Sequence, residues 1–221
     1  MKPWVELARA KPEGTGVLSL HQRDDEYVIK VDGELLMSSR RHESEDQLAT
    51  IGCAGMRGAT PSVLVGGLGM GYTLRAVLEL LPARGQAVVA EISADVVDWN
   101  RGVLADLARR PLDDVRVRVH VGDVLEAMRA APAAFDAILL DIDNSPHALT
   151  RAANRALYDE RGLAAALRAL RPGGCLAVWS AAETPEFERR MKKCGFAVKA
   201  HPAHARPGGG GRHTIYTGTP R

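Results

Sequence analysis

The sequence predicts an α/β fold in which a mostly parallel sheet carries helices on its faces, and three observations predict it. Short apolar runs rich in β-branched residues alternate with segments of helical spacing, a pattern typical of strand–helix–strand units. A glycine-rich turn, Gly67-Leu-Gly-Met-Gly71, follows one of these runs. Acidic residues end the later runs, and the carboxyl ends of parallel strands are where such sheets bind ligands.

The composition limits the class of protein. A chain of 221 residues suits one α/β domain with a small addition. Hydrophobic residues make up 46% and charged residues 25%, as in ordinary globular proteins. A net charge of +2 is too small to indicate a nucleic-acid partner, and no apolar run approaches the length of about 18 residues that spans a bilayer. We therefore expect a cytoplasmic protein with neither a nucleic-acid nor a membrane partner.

Residues 1–42 are predicted to form a small N-terminal β unit. Residues 1–14 contain two prolines and a glycine and are expected to be an extended lead-in. Asp32-Gly33 lies between two apolar runs, which is a strong signal for a two-residue hairpin. The predicted strands are Val17–Leu20, Tyr27–Val31 and Glu34–Met37.

An amphipathic helix from Ser44 to Met56 is predicted to connect this unit to the domain that comprises residues 43–221. Its acidic residues are expected to favour the helix dipole, because they lie in the first turn. The alternative is that acids at this position bind an amine substrate, and Gln47 is the predicted substrate-binding residue. The acidic residues are Glu43, Glu45 and Asp46.

The glycine-rich turn follows a predicted strand, Val63–Val65, and precedes a helix with apolar residues every three to four positions. Gly67, Gly69 and Gly71 are predicted cofactor-binding residues for two reasons. The chain must turn through φ angles that a Cβ disfavours, and its backbone must pass close to a ligand. The helix that follows offers unpaired N–H groups at its first turn.

Acidic residues end the next three predicted strands. Glu91 lies roughly twenty residues beyond the glycines, where a nucleotide-binding fold places an acid on the ribose hydroxyls. Asp123 and Asp141 follow the third and fourth strands. Because the carboxyl ends of parallel strands share one edge of the sheet, we expect these acids to line a common site. The strands are predicted at Ala87–Ala90, Val115–Val121 and Phe135–Leu140.

Helical spacing and turn residues predict the remaining elements. Ser93 is expected to cap a helix that runs to Arg110 and carries Trp99 as a core aromatic. Residues 141–154 are expected to be irregular, and the glycine-rich segment Pro207–Arg212 is expected to be a flexible loop. The other predicted elements are helices at Asp123–Ala131, up to Leu170 and at Thr184–Cys194, and strands at Cys175–Trp179, Phe196–Ala200 and His213–Thr217.

The sequence lacks the motifs of several other catalytic chemistries. His201, His204 and His213 lie near one another in the chain but show no His-Glu-x-x-His spacing, so no metal site is predicted. Neither a Gly-x-Ser-x-Gly nucleophile elbow nor a Walker-type phosphate loop is present. The three cysteines form no Cys-x-x-Cys pair and are expected to be buried thiols of a reducing compartment.

Taken together, these residues resemble the class I S-adenosylmethionine-dependent transferase fold and, within it, the spermidine synthase (polyamine aminopropyltransferase) family. The resemblance implies a Rossmann-like class I methyltransferase sheet with its last strand antiparallel, and a small N-terminal β hairpin unit that takes part in a possible homodimer. It is carried by Val63–Leu78, Ala90–Ile92, Val121–Asp123, Leu139–Asp141 and Leu170–Gly174.

The resemblance also implies roles for residues of the site. Glu91 would hold the ribose of S-adenosylmethionine or its decarboxylated form, and Asp123 would hold the adenine amino group. Asp141 would face a small-molecule amine substrate and act as its orienting base. Further predicted residues are Ile92 and Val124 for the cofactor, Asp143 for catalysis and Asn144 for the substrate.

Two departures from the family pattern leave the reaction open. Met70 stands in the glycine turn where the family carries an acidic residue, and Asp141-Ile-Asp-Asn-Ser-Pro146 replaces its Asp-Ser-Ser-Asp-Pro-like run. The main hypothesis is an aminopropyltransferase. The alternatives are an S-adenosylmethionine-dependent small-molecule methyltransferase, which Met70 favours, and a non-catalytic cofactor-binding protein. The Gly-x-Gly-x-x-Gly spacing of NAD-binding folds does not match this turn.

Overall fold

The computed structural model describes residues 2–12, 16–142, 156–206 and 209–221. Its first four strands form an antiparallel sheet in the order β1-β2-β3-β4. The two-residue turn between β3 and β4 is confirmed, because Asp32 and Gly33 both adopt positive φ and Val31 pairs with Glu34. These strands are β1 (Val5–Ala10), β2 (Leu18–Arg23), β3 (Glu26–Val31) and β4 (Glu34–Ser38).

Residues 1–14 were expected to be an extended lead-in, and the structure adds a strand there, because β1 pairs antiparallel with β2. Val5 and Leu7 are exposed, so this strand lacks the alternation of apolar and polar residues that marks a half-buried strand. Hydrogen bonding to the edge of β2 specifies it instead. Four strands, one more than the three predicted, therefore precede the first helix.

Seven strands form the main sheet in the order β10-β11-β9-β8-β5-β6-β7. The pairs from β9 through β7 are parallel, whereas β11 runs antiparallel to both β9 and β10. The predicted fold class is confirmed. The strands are β5 (Ser62–Gly66), β6 (Gln86–Glu91), β7 (Val117–Val121), β8 (Phe135–Leu140), β9 (Leu170–Ser180), β10 (Phe196–Arg206) and β11 (Gly209–Pro220).

Six α-helices have both ends among the described residues, and α3 departs most from its predicted length. Ser93 caps α3 as expected, since its hydroxyl accepts a hydrogen bond from the Val96 N–H at 3.3 Å. That helix ends at Arg101 because Gly102 leaves the helical conformation, and the predicted continuation to Arg110 is a short 3-10 turn. The helices are α1 (Glu43–Cys53), α2 (Tyr72–Leu80), α3 (Ala94–Arg101), α4 (Val124–Ala130), α5 (Glu160–Ala169) and α6 (Pro185–Lys193).

Strands near the C-terminus are longer than predicted. Leu170 already belongs to β9 and pairs with Phe135, so the Arg-Pro-Gly-Gly174 segment lies within an irregular strand rather than only ending a helix. The expected flexible loop at Pro207–Arg212 was wrong from Gly209 onward, because these glycines belong to β11. Backbone pairing decides both outcomes, since Leu170 pairs with β8 and Gly209 with β10, and the side-chain pattern of glycine does not report such pairing.

The core consists of two apolar layers, one on each face of the main sheet. Alternate residues of β5 divide between them, with Val63 and Val65 in one layer and Leu64 in the other. Burial of each such side chain contributes roughly 1.5–3 kcal/mol. Trp99 lies in the first layer, as predicted. Within the described ranges, no helix has the length and apolarity needed to cross a membrane.

Helix α1 packs on the first face of the sheet with its C-terminal half over the middle of the strands. A Cβ added at Gly52 would lie 2.9 Å from the Ala177 Cβ and 3.3 Å from the Leu139 Cγ. Cys53 and Cys175 are buried, whereas Cys194 is only half-buried, which corrects the expectation that all three thiols are buried. This packing places the first turn of α1 at the carboxyl edge of the sheet.

Candidate active site

The turn Gly67–Gly71, called the glycine loop below, connects β5 to α2. Its glycines have φ values of 88° at Gly67, 52° at Gly69 and 84° at Gly71, which confirms the predicted need for glycine. A Cβ at Gly67 would overlap the carbonyl oxygen of Asp141. One at Gly69 would lie 2.7 Å from the Met37 Cε. The loop is therefore enclosed by its own neighbours as well as shaped for close approach.

Glu91 lies at the end of β6 and is only 9% exposed. One carboxylate oxygen accepts the Leu68 N–H of the glycine loop at 2.9 Å, and the other accepts the Ser93 N–H at 2.9 Å. Burial raises the pKa of Glu91, while these backbone bonds favour its ionised form. The backbone N–H groups of Gly69 and Ile92 also favour the ionised form of this carboxylate.

Asp123 lies on the adjacent strand end and caps α4, because its carboxylate accepts the Leu125 N–H at 2.8 Å. The pairing of Glu91 with Val121 brings it to the same edge of the sheet as Glu91. Ile92 is 49% exposed at this edge, whereas Val124 is buried. An acid, an exposed apolar surface and the glycine loop thus lie along neighbouring strand ends.

Asp141 follows β8 on the other side of β5. Its backbone N–H donates to the Gly66 carbonyl oxygen at 2.9 Å. Its side chain accepts a hydrogen bond from the Thr73 hydroxyl at 2.7 Å, and burial raises the pKa of this carboxyl group. The structure therefore brings three of the predicted site acids, Glu91, Asp123 and Asp141, to one edge of the sheet around the glycine loop.

Glu45 in the first turn of α1 interacts with Asp141, and the two are called the carboxylate pair below. Burial and the negative charge of Asp141 raise the pKa of Glu45 to about 8. The Ser44 hydroxyl donates to the Glu45 carboxylate at 2.6 Å. The helix-dipole interpretation of Glu45 was incomplete, because its carboxylate also lies close enough to Asp141 for the two charges to interact. No local sequence signal reports this interaction between distant residues.

Two other polar residues of α1 have structural partners. Asp46 forms an ion pair with Arg75 of α2. Gln47 donates from its side chain to the His204 carbonyl oxygen at 3.2 Å, which connects α1 to β10. Its predicted role in substrate binding stays a prediction. Two further predicted residues, Asp143 and Asn144, lie outside the described residues.

Met70 of the glycine loop is 2% exposed and packs in the first apolar layer. The loop therefore has a buried thioether at the position where the family resemblance implies an acid. Trp179 lies two residues beyond Ala177, which pairs with Leu139, and so reaches the same edge and face as Asp141. Its ring lies 4.8 Å from that of His213. Neither aromatic residue was predicted as part of the site.

The described residues contain no group of three or more histidine, cysteine, aspartate or glutamate side chains arranged to hold a metal ion.

Comparison with known protein families gives one match to a family model. The model is described as the spermine/spermidine synthase domain, and it matches residues 47–194. A curated relative, the polyamine aminopropyltransferase of Nitrosomonas europaea, is 30% identical over 156 residues. That alignment covers 68% of this chain and 45% of the relative, so the chain spans less than half of the relative's length.

Solved structures give the same fold. Spermidine synthase in complex with the transition-state analogue AdoDATO aligns with a TM-score of 0.75 at 19% identity, over 96% of this chain and 71% of that one. The Thermotoga maritima spermidine synthase gives the same values. A probable spermidine synthase from Corynebacterium glutamicum aligns with a TM-score of 0.66 at 17% identity, over 96% of this chain and 79% of that one.

Proposed function

The chain belongs to the spermine/spermidine synthase family, and on this basis we propose that it transfers an aminopropyl group from decarboxylated S-adenosylmethionine to a small amine. The observation that carries the proposal is the carboxylate pair, Glu45 and Asp141, beside the glycine loop. Two acids at this point suit a cationic acceptor, because an ammonium group needs counter-charge and a proton acceptor.

The donor would lie along the carboxyl ends of β5, β6 and β7. Glu91 would accept hydrogen bonds from the ribose hydroxyls, since it is a carboxylate at the end of the strand that follows the glycine loop. Asp123 would accept a bond from the adenine amino group, and Ile92 would cover the adenine ring. The positive φ values of the glycine loop support this arrangement, because they let the backbone approach a ligand closely.

The carboxylate pair would bind the acceptor's ammonium group and take one of its protons. The neutral nitrogen then forms a bond to the methylene carbon beside the sulfonium, as the carbon–sulfur bond breaks and its electron pair leaves with the thioether. The sulfonium is already activated, so the protein contributes alignment and deprotonation. Trp179 would pack against the acceptor's carbon chain. A homodimer, expected from the resemblance, stays a prediction.

Donor preference separates this proposal from methyl transfer, which Met70 favours as the second candidate. We expect decarboxylated S-adenosylmethionine to bind about tenfold more tightly than S-adenosylmethionine, equivalent to about 1.4 kcal/mol. The physical reason is that the α-carboxylate of the intact donor would lie near Glu45 and Asp141, where like charges repel. Calorimetric titration with both donors, and with methylthioadenosine as a tail-free control, measures the difference.

The products identify the reaction in the same samples. Mass spectrometry of the amine should reveal an added aminopropyl group. Tighter binding of intact S-adenosylmethionine together with a methylated amine would establish the second candidate instead. Binding without turnover of any amine would favour the non-catalytic alternative.

Glu45→Gln is expected to change the pH dependence of both stability and amine binding. The folded state keeps a proton on Glu45 up to about pH 8, while the unfolded chain loses it near 4.5. Folding stability of the wild type therefore falls as pH rises through this window. The variant lacks this loss. Its free energy of unfolding should therefore exceed that of the wild type by about 1 kcal/mol or more at the upper end of this pH window.

Amine binding should follow the opposite trend in the wild type. Its KM for the amine should fall as pH rises through about 8 and Glu45 ionises, and Glu45→Gln should flatten this dependence. Asp46→Asn is a suitable control for the loss of an acid from the same helix turn, since the charge of Asp46 is already paired with Arg75. Urea denaturation measures the stability and initial rates measure KM, each in steps of roughly one unit across pH 6–9. An unchanged KM profile in Glu45→Gln would remove Glu45 from the acceptor site.

A further inference from the structure

Asn100 in the last turn of α3 is a buried polar side chain that contacts the glycine loop. It is only 1% exposed. Its amide nitrogen donates to the Gly69 carbonyl oxygen at 2.8 Å and to the Val96 carbonyl oxygen at 2.9 Å. The amide oxygen has no hydrogen-bond partner among the described residues. Burying an unpaired acceptor is unfavourable, so the bond to the loop is kept at a cost in folding stability.

The loop is therefore held from two sides by the β6–α3 segment. Glu91 accepts the Leu68 N–H, and Asn100 donates to the carbonyl oxygen of the following residue, Gly69. In a trans peptide the N–H points opposite to the C=O. With the Gly69 carbonyl directed at α3, the Met70 N–H must point away from α3. Across the described part of the chain, this N–H makes no hydrogen bond with the backbone.

Gly71 strengthens this arrangement. A Cβ at this position would lie 3.1 Å from the Asn100 amide oxygen, and its φ of 84° disfavours other residues. The side chain of Asn100 thus occupies the space that a larger residue in the loop would need. The loop conformation and the asparagine depend on each other.

We propose that Asn100 is a positioning residue that orients the Gly69–Met70 peptide so that the Met70 N–H donates a hydrogen bond to the bound donor. The inference rests on the proposed function, because it assumes that the donor occupies the glycine loop. Asn100 contacts neither the donor nor the acceptor in this arrangement. It acts through the peptide plane that it fixes.

The test combines binding with a direct signal from the loop. Asn100→Asp keeps the shape but replaces the donor with an oxygen that repels the Gly69 carbonyl, and Asn100→Ser shortens the side chain without adding charge. Both should bind methylthioadenosine at least tenfold more weakly by calorimetry. Val97→Ala, which loosens the packing of the same helix, should lower the unfolding midpoint yet keep the affinity within twofold. Val97 is buried in the first apolar layer.

Selective ¹⁵N labelling of methionine reports the peptide itself, with the Met70 signal assigned by its loss in Met70→Leu. In the wild type, methylthioadenosine should shift this signal. In Asn100→Ser the signal should start at a different position and respond less. A wild-type protein that binds the ligand without a shift of the Met70 signal would overturn the inference, as would unchanged affinity in Asn100→Ser. No binding by the wild type would instead overturn the proposed function.

Discussion

Asp141→Asn is expected to lower kcat for aminopropyl transfer by about 10²–10⁴-fold, the usual contribution of a general base. The amide has the same shape and can still accept the hydrogen bond from the Thr73 hydroxyl, which is 2.7 Å long in the wild type. It cannot take a proton from the acceptor or attract its charge. Methylthioadenosine lacks the donor's tail, which is the part that lies near Asp141 in the proposed arrangement, so it should bind within about twofold of wild type.

Asp136→Asn provides a matched control on the same strand. Asp136 lies at the opposite end of β8 and accepts hydrogen bonds from the Ser62 N–H at 2.7 Å and from Arg171 at 2.6 Å. Its replacement should reduce stability but leave kcat within about twofold. Single-turnover rates with saturating donor measure both variants. Full turnover by Asp141→Asn would show that another group takes the proton.

Gly67→Ala is expected to destabilise the fold by about 2–5 kcal/mol, as the sum of two effects. The φ of 88° costs an L-residue about 1–2 kcal/mol. The new methyl group would also overlap the Asp141 carbonyl oxygen, and overpacking of this kind costs about 1–3 kcal/mol. Relief of the overlap must displace the backbone of Asp141, so the surviving folded protein should also lose turnover. Urea denaturation measures the loss of stability.

Gly33→Ala separates the two effects. Gly33 has the same φ of 88°, but nothing lies within 4 Å of a Cβ placed there. It should therefore show only the conformational cost of about 1–2 kcal/mol. Equal destabilisation by the two variants would mean that the contact between the glycine loop and the segment after β8 carries no energetic weight.

The sequence was informative wherever chemistry and local geometry coincide. The glycine loop was predictable because Gly67, Gly69 and Gly71 are required by backbone angles, which depend on neighbouring atoms only. The strand ends at Glu91 and Asp141 were predictable from the length of apolar runs. Strand β1 was not, because its side chains do not alternate in burial and its partner strand specifies it.

The carboxylate pair shows a different limit. Glu45 lies in a helix turn where an acid is favourable for local reasons, and that local explanation was sufficient for the sequence pattern. Its interaction with Asp141 arises because α1 packs across β8 and β9, a matter of tertiary contacts. The position of Asn100 under the glycine loop has the same origin. When a residue's role depends on contact between two distant elements, the spacing of residues in the sequence does not reveal it.

The position of β11 between β9 and β10 has a consequence for the order of assembly during synthesis. β10 precedes β11 in the chain but touches the sheet only through it. Until β11 emerges from the ribosome, the outer edge of β9 is unpaired and β10 has no strand to pair with. Open edges of this kind invite pairing with other chains. During synthesis, the strands that carry the site, β5 to β9, are therefore complete before the edge of β9 is covered. In that interval the edge is open to aggregation and to binding by chaperones.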